Sequence, residues 1–193
     1  MKLIFASNNQ HKIQEIQKMI PANYQILSLK DIGCTENIPE TADTIEGNAV
    51  LKAQYIHQKY GVNCFADDSG LEVQVLNNAP GVNSARYAGE DKNDQHNMQK
   101  LLQDLENQSD RKARFKTVIC LIFNNQQYLF EGVINGVITT ELRGGNGFGY
   151  DPIFAPNGSD KTFAEMSNTE KNNISHRAKA VEQLIKFIES RVE

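Results

Sequence analysis

Residues 62–70 read VNCFADDSG, so that two adjacent carboxylates, a hydroxyl and a glycine follow an apolar run. The apolar run predicts a buried strand, and the polar residues predict a loop that begins at Asp67 and Asp68. In open α/β sheets, ligand sites lie at the carboxyl ends of strands. Because neighbouring residues on an extended chain point to opposite faces, the two carboxylates are expected to differ in role, one facing a ligand and one holding the turn. The carboxylate that faces a ligand can hold a divalent cation or deprotonate a water that attacks phosphorus.

Outward from this stretch, strand-like and helix-like patterns alternate and a hairpin follows. A helix over 44–60 is predicted between the N-capping Thr44 and the terminating Gly61. This succession predicts an α/β protein with a mixed central sheet. The other predicted elements are strands over 2–6, 24–29, 71–75 and 153–154, a loop over 31–43, helices over 10–20 and 93–105, a hairpin of 115–123 with 128–138, and a closing helix with Ala178, Val181, Ile185 and Ile188 on its inner face.

Size and charge limit the classes of function. The chain has 193 residues and no repeat or linker, which predicts one domain, whole or split into two lobes. A formal net charge of −4 argues against sequence-independent nucleic-acid binding. No segment resembles a signal peptide or a membrane span, so a cytoplasmic location is expected. The three cysteines are widely spaced, which predicts neither a disulfide framework nor structural zinc.

Residues 7–12 read SNNQHK, a strand-to-helix turn with Lys12 in the first helical turn. Backbone N–H groups at a helix N-terminus, with a cation nearby, form a natural anion site. Taken alone, the motif is better explained as an ordinary capped helix with a solvated lysine.

Residues 144–151 read GGNGFGYD and combine four glycines with two aromatic rings and a carboxylate. Such a loop lets backbone approach a ligand closely and offers Phe148 or Tyr150 for stacking on a planar base. The alternative is a flexible connection with one ring buried.

Ser175 is a predicted N-cap that places His176 and Arg177 at the start of the last helix. A cation is disfavoured at the positive end of a helix, so Arg177 is expected either to project toward a ligand or to pair with a surface carboxylate. Together with Lys12, Lys171 and Lys52 it would supply charge for phosphates. Glu40 and Asp68 would supply a metal site, and the combination predicts a metal-dependent nucleotide site.

The whole chain closely resembles the inosine triphosphate pyrophosphatase family, because several separate motifs occur in the right order. The resemblance is carried by FASN (5–8), Glu40-Thr41, NAVLKA (48–53), ADDSGL (66–71), APG (79–81), SARY (84–87), GFGYDPIF (147–154) and ISHR (174–177). It implies hydrolysis of ITP, dITP and XTP to the nucleoside monophosphate and pyrophosphate. It also implies an elongated mixed sheet with flanking helices that form two lobes around a central cleft, and a homodimer.

The resemblance also implies roles for individual residues. Glu40 and Asp68 would hold Mg²⁺, with Asp68 as the general base. The implied substrate-binding residues are Ser7, Asn8, Asn9, Gln10, His11 and Lys12 for the triphosphate, Ser69 for a further contact, Phe148, Gly149, Tyr150 and Asp151 for the base pocket, and Lys171, His176 and Arg177 for base recognition. Donors there would satisfy O6 of hypoxanthine or xanthine, whereas the amino group of adenine would oppose them.

One position departs from the family pattern. Gly47 stands where some members have a second glutamate. If that glutamate assists the metal, either Glu46 would have to replace it or the metal would rely on Glu40, Asp68 and water, so Glu46 is kept out of the predicted ligand set. Two other functions remain open. A phosphatase with an aspartyl-phosphate intermediate would release free phosphate, but it would be expected to have an acidic residue where Ser69 or Gly70 stands. A nucleotide-sensing module would bind without turnover.

Overall fold

The computed structural model describes residues 2–36 and 38–192, in which six strands and five α-helices are found. The strands are β1 (Lys2–Phe5), β2 (Gln25–Leu27), β3 (Cys64–Val73), β4 (Lys112–Phe123), β5 (Gln126–Ile138) and β6 (Phe154–Pro156). The helices are α1 (Gln10–Met19), α2 (Ile45–Tyr60), α3 (Asp94–Asp104), α4 (Asn168–Ile174) and α5 (His176–Val192). Asn37, in the predicted loop over 31–43, lies outside the described residues.

The strands form one mixed sheet in the order β2-β1-β3-β4-β5-β6, which confirms the predicted α/β class. β1 pairs in parallel with β2, with Leu3 opposite Ile26, and with β3, with Phe5 opposite Phe65. β5 pairs antiparallel with β6. The hairpin between β4 and β5 turns at two asparagines, Asn124 and Asn125, whose φ angles are 50° and 63°. Asparagine tolerates this left-handed conformation, which hairpin turns of two residues require.

The prediction of a loop at Asp67 and Asp68 is wrong, because β3 runs without a break from Cys64 to Val73. Both carboxylates are buried within the strand. A buried charge is tolerated when it is paired, and lysine and arginine side chains from distant segments pair these carboxylates. The strand therefore continues where its own sequence predicts an end.

The described residues divide into two compact units, and the chain passes between them inside β3, β4 and β5 and after His176. Unit 1 contains the chain up to Asp68, Thr117–Gly132 and the chain from Arg177 onward. Unit 2 contains Ser69–Lys116 and Val133–His176.

Each unit has its own apolar core. The core of unit 1 joins β1, β3, β4 and β5 to α1 and α5, through Leu3, Phe5, Ile13, Ile16, Phe65, Leu121, Val181, Leu184 and other buried residues. The core of unit 2 is rich in aromatic rings and includes Leu71, Leu101, Phe115, Tyr150, Phe154, Phe163 and Met166.

The helix boundaries follow the local signals closely. Asn9, Thr44 and Asn93 cap α1, α2 and α3 through their side-chain oxygens, and α2 ends at Gly61 with φ 64°. Two details differ from the sequence prediction. The buried face of α5 consists of Ala180, Val181, Leu184 and Ile188, while Ala178 and Ile185 are only half-buried. α4 was not predicted.

None of the helices in the described part of the chain is at once long and apolar enough to span a membrane.

Candidate active site

Asp67 is the centre of a buried charge cluster in unit 1. Its carboxylate accepts Lys12 Nζ at 3.0 and 3.1 Å, and Arg177 Nε lies 3.5 Å from Oδ2. Arg177 also pairs with Glu15 of α1. Burial alone would raise the pKa of Asp67, but Lys12, Arg177 and Lys52 outweigh burial and lower it to about 2. Asp67 is therefore a fixed negative charge that holds two cations.

Asp68, the next residue of β3, has a different environment. Its nearest cation is Lys52 of α2, whose Nζ lies 3.5 Å from Oδ1, and its Oδ2 accepts the Asn48 amide at 3.4 Å. Burial raises the pKa of Asp68, because the attraction of Lys52 and Lys12 is too weak to offset it and Glu40 adds a like charge. This carboxylate is the better proton acceptor of the pair. Asp67 and Asp68 thus have different partners, although neither holds a turn, and the role of Asp68 as general base stays a prediction.

The two predicted metal ligands meet at one ammonium group. Lys52 Nζ lies 2.7 Å from Glu40 Oε1 and 3.5 Å from Asp68 Oδ1, so both carboxylates already face a shared cation. No group of three or more His, Cys, Asp or Glu side chains suited to a metal ion was found in residues 2–36 and 38–192. Mg²⁺ commonly takes one or two carboxylates and completes its shell with water and substrate phosphates. The oxygen donors of Glu40 and Asp68 fit that requirement.

The turn over 7–12 forms a capped helix terminus. Ser7 Oγ accepts the Asn9 N–H, and the Asn9 side chain accepts the Lys12 N–H at 3.1 Å. Asn8, Asn9, Gln10 and His11 are exposed. Lys12 is not solvated, since its side chain is 13% exposed and paired with Asp67. Exposed helix N–H groups next to a lysine are a combination that suits an anion, and the predicted binding of a triphosphate here stays a prediction.

A second cluster lies in unit 2, around the glycine-rich loop. The buried Lys171 of α4 donates to Asp151 Oδ2 at 2.7 Å, and the Phe148 N–H donates to the same oxygen at 2.9 Å. Lys171 Nζ also lies 4.9 Å from the centroid of the Phe148 ring. A side chain at Gly147 would collide with Asp151 Oδ2, so this glycine is required for the close approach. The loop thereby brings a cation, a carboxylate and an aromatic ring together.

The other predicted base-pocket residues are held by packing. Tyr150 is buried and its hydroxyl donates to the Ser84 carbonyl, while the Gly149 N–H donates to Asp94 of α3. His176 is buried with its ring stacked on Phe115, the centroids 4.7 Å apart. Ser69 is half-buried in β3 directly after Asp68.

Arg177 is buried, and its guanidinium lies with Asp67 and Glu15. The surface ion pair drawn from the sequence is not found, because the carboxylates that pair with Arg177 are buried or largely buried. The other alternative, a role of Arg177 in binding a ligand, stays a prediction. Glu15, which pairs with Arg177, and Asn48, which donates to Asp68, were not among the predicted site residues. A glutamate on a polar helix is ordinary, and Asn48 entered only as part of the motif over 48–53.

The chain matches the Ham1 family over residues 3–187. It is 61% identical to a dITP/XTP pyrophosphatase of Flavobacterium psychrophilum, over 98% of this chain and 100% of the relative. It is 48% identical to a dITP/XTP pyrophosphatase of Bacillus licheniformis, over 95% of each chain. A solved structure of the Ham1 protein of Staphylococcus aureus superposes with a TM-score of 0.91 at 41% identity, covering 99% of this chain and 100% of that one. The chain belongs to the Ham1 family.

Proposed function

We propose that this protein hydrolyses non-standard purine nucleoside triphosphates, namely ITP, dITP and XTP, to the nucleoside monophosphate and pyrophosphate. Relatives named dITP/XTP pyrophosphatase match nearly its full length. The observation that carries the proposal is the contrast between two consecutive carboxylates. Asp67 is locked by Lys12 and Arg177, while Asp68 has a raised pKa and shares a lysine with Glu40.

The triphosphate would be bound by positive groups of unit 1. Backbone N–H groups at the exposed start of α1 point at an incoming anion, and Lys12 and Lys52 supply full positive charge nearby. Both lysines are largely buried and already balanced by carboxylates. Their ammonium groups are therefore held in place before a substrate arrives, which reduces the cost of ordering them on binding.

Glu40 and Asp68 would hold Mg²⁺, which when bound neutralises phosphate charge and acidifies a water. Asp68 accepts the proton of the attacking water, and its raised pKa suits that task better than the pKa of about 2 at Asp67. The oxygen of the water forms a new bond to phosphorus and the bond between the α and β phosphates breaks. Pyrophosphate leaves, and the proton remains on Asp68 until solvent removes it.

The base would be recognised by the cluster in unit 2. Lys171 and His176 are donors that suit O6 of hypoxanthine or xanthine, and the amino group of adenine would leave a donor facing a donor. Phe148 would stack on the base. Arg177 stays a predicted base-recognition residue, although its guanidinium is paired with Glu15 and Asp67. Ser69, Gly149, Tyr150 and Asp151 stay predicted contacts.

Three further properties are proposed from the family resemblance: a single domain over residues 1–193, a homodimer and a cytoplasmic location. The net charge of −4 supports a partner that is a small nucleotide and not a nucleic acid.

Product analysis tests the function. Purified protein with Mg²⁺ is offered ITP, XTP, GTP and ATP in parallel, and pyrophosphate and phosphate are assayed separately. We expect pyrophosphate from ITP and XTP and little from ATP or GTP. Free phosphate as the product would favour a phosphatase, and binding of ITP without turnover would favour a sensing module.

A further inference from the structure

Asn48 connects the two segments that carry the proposed metal ligands. It lies in the first turns of α2 and is 2% exposed. Its Oδ1 accepts the Ala42 N–H at 2.9 Å, two residues after Glu40, and its Nδ2 donates to Asp68 Oδ2 at 3.4 Å. One amide group therefore contacts the loop that holds Glu40 and the strand that holds Asp68.

The loop that holds Glu40 also packs closely on α2, because Gly47 has no side chain. A Cβ on Gly47 would lie 2.6 Å from the Ala42 Cβ, so any larger residue there would push the loop away. Gly47 is not held in a left-handed conformation, but a Cβ there would also lie 3.0 Å from Thr44 Oγ1, the oxygen that caps α2. A glycine inside a helix is less favourable than alanine, because it loses more conformational freedom on folding. Close approach of Ala42 is what the structure gains from it.

Unit 2 contains a counterpart of Asn48 that has no carboxylate among its hydrogen-bond partners in the described residues. Asn97 occupies the same position of its helix, four residues after the cap Asn93, as Asn48 does after Thr44. It is also 2% exposed, its Oδ1 accepts the Ala88 N–H at 2.7 Å, and its Nδ2 donates to the Ala85 carbonyl at 3.0 Å. Asn97 thus holds a neighbouring segment against its helix with the same two amide atoms as Asn48. Both partners of Asn97 are backbone atoms, whereas one partner of Asn48 is the Asp68 carboxylate.

We propose that Asn48 is a positioning residue that fixes the Glu40 segment against Asp68, so that the two carboxylates can share one divalent cation. The inference rests on the proposed function and adds to it a residue that touches neither substrate nor metal. A buried amide with both of its polar groups engaged has a fixed orientation, which holds each carboxylate within the small error that metal ligation tolerates. Gly47 supports the same arrangement by allowing Ala42 to approach.

The test is Mn²⁺ binding to the full-length, metal-free protein, measured by electron paramagnetic resonance. Asn48→Ala and the matched control Asn97→Ala each remove a buried amide that anchors a loop to a helix, so both are expected to lower the melting temperature by similar amounts. We expect Asn48→Ala to weaken Mn²⁺ binding at least tenfold and Asn97→Ala to leave it within twofold of the wild-type value. Gly47→Ala, which favours the helix, is expected to weaken Mn²⁺ binding severalfold with α-helical circular dichroism unchanged.

Equal affinity in Asn48→Ala and wild type overturns the proposal, as does an equal loss in Asn97→Ala or a wild-type protein that binds no Mn²⁺. If Asn48→Ala fails to fold, the Gly47→Ala result decides alone, and wild-type affinity in that variant overturns the proposal. Failure of the proposed function has a different signature, in which wild-type protein binds Mn²⁺ and gives no pyrophosphate from ITP.

Discussion

Asp67 and Asp68 are consecutive residues of one strand, yet their pKa values are shifted in opposite directions. The alternation of β3 turns Asp67 toward Lys12 and Arg177 and Asp68 toward Lys52 and Asn48. One strand thus provides a structural carboxylate and a carboxylate suited to accept a proton.

The two carboxylates are expected to respond differently to the same substitution. Asp67→Asn leaves Lys12 and Arg177 without their shared charge, and breaking a buried pair in this way costs about 3–5 kcal/mol of unfolding free energy. Asp68→Asn removes a charge that burial disfavours, since a raised folded-state pKa means that ionisation destabilises the fold at neutral pH. Its stability should stay at or above the wild-type value, while turnover of ITP falls by about 10² or more.

Urea unfolding at pH 7 and initial rates of pyrophosphate release measure these two effects. A stable Asp67→Asn protein, or an Asp68→Asn protein with near-wild-type turnover, would contradict the division of roles.

Lys171 is expected to contribute to base selection. In Lys171→Ala, the donor proposed for O6 is lost, so kcat/KM for ITP should fall at least tenfold while the low rate with ATP changes less. Lys161→Ala is the matched control, because Lys161 pairs with Glu170 of the same helix but its side chain is 55% exposed. Steady-state kinetics with both nucleotides decide the question, and equal losses on ITP and ATP would remove Lys171 from base recognition.

Cys64 and Cys120 are expected to be unreactive in the folded protein. Burial raises the pKa of each thiol to about 12, and the thiolate is the reactive form. Titration with dithionitrobenzoate at pH 8 should therefore show little modification of these two positions until urea is added, and treatment should leave activity unchanged. Single Cys64→Ser and Cys120→Ser proteins identify which thiol reacts, and rapid labelling of either in the native state would show that its segment opens.

Glu170 should make stability depend on pH at acidic values. The Ser167 N–H, Lys161 and the Ser167 side chain lower its pKa to about 2, below the ordinary value of 4.5. Its contribution is present above the unfolded-state pKa and is lost as the pH falls through the folded-state value. Glu170→Gln keeps the capping geometry without the charge. Chemical unfolding of both proteins is measured from pH 6 to pH 2.5. The free energy of unfolding should fall more steeply with decreasing pH for wild type than for Glu170→Gln, and parallel curves of this free energy against pH would contradict the account.

Local signals in the sequence predicted much of the fold. Asn9, Thr44 and Gly61 bound their helices through hydrogen bonds and backbone conformations that involve only a few neighbouring residues, so they can be read without the rest of the chain. The β4–β5 hairpin and the mixed sheet follow from the same kind of information. The buried face of α5 does not follow from local signals alone, because Leu184 and Ile185 are adjacent apolar residues and the helix can turn either of them inward.

The pairing of charges was decided by tertiary structure alone. Lys12 meets Asp67 across 55 positions of the chain, Glu15 meets Arg177 across 162, and Asn48 reaches Asp68 from another element. The same contacts explain why β3 continues through two carboxylates that predict its end. By itself the sequence determined the limits of α1 and α2, the α/β class and the candidate residues, since these depend on neighbours along the chain. Which carboxylate is locked and which can accept a proton depends on cations from distant segments, because a buried charge takes its pKa from the groups that the fold places beside it.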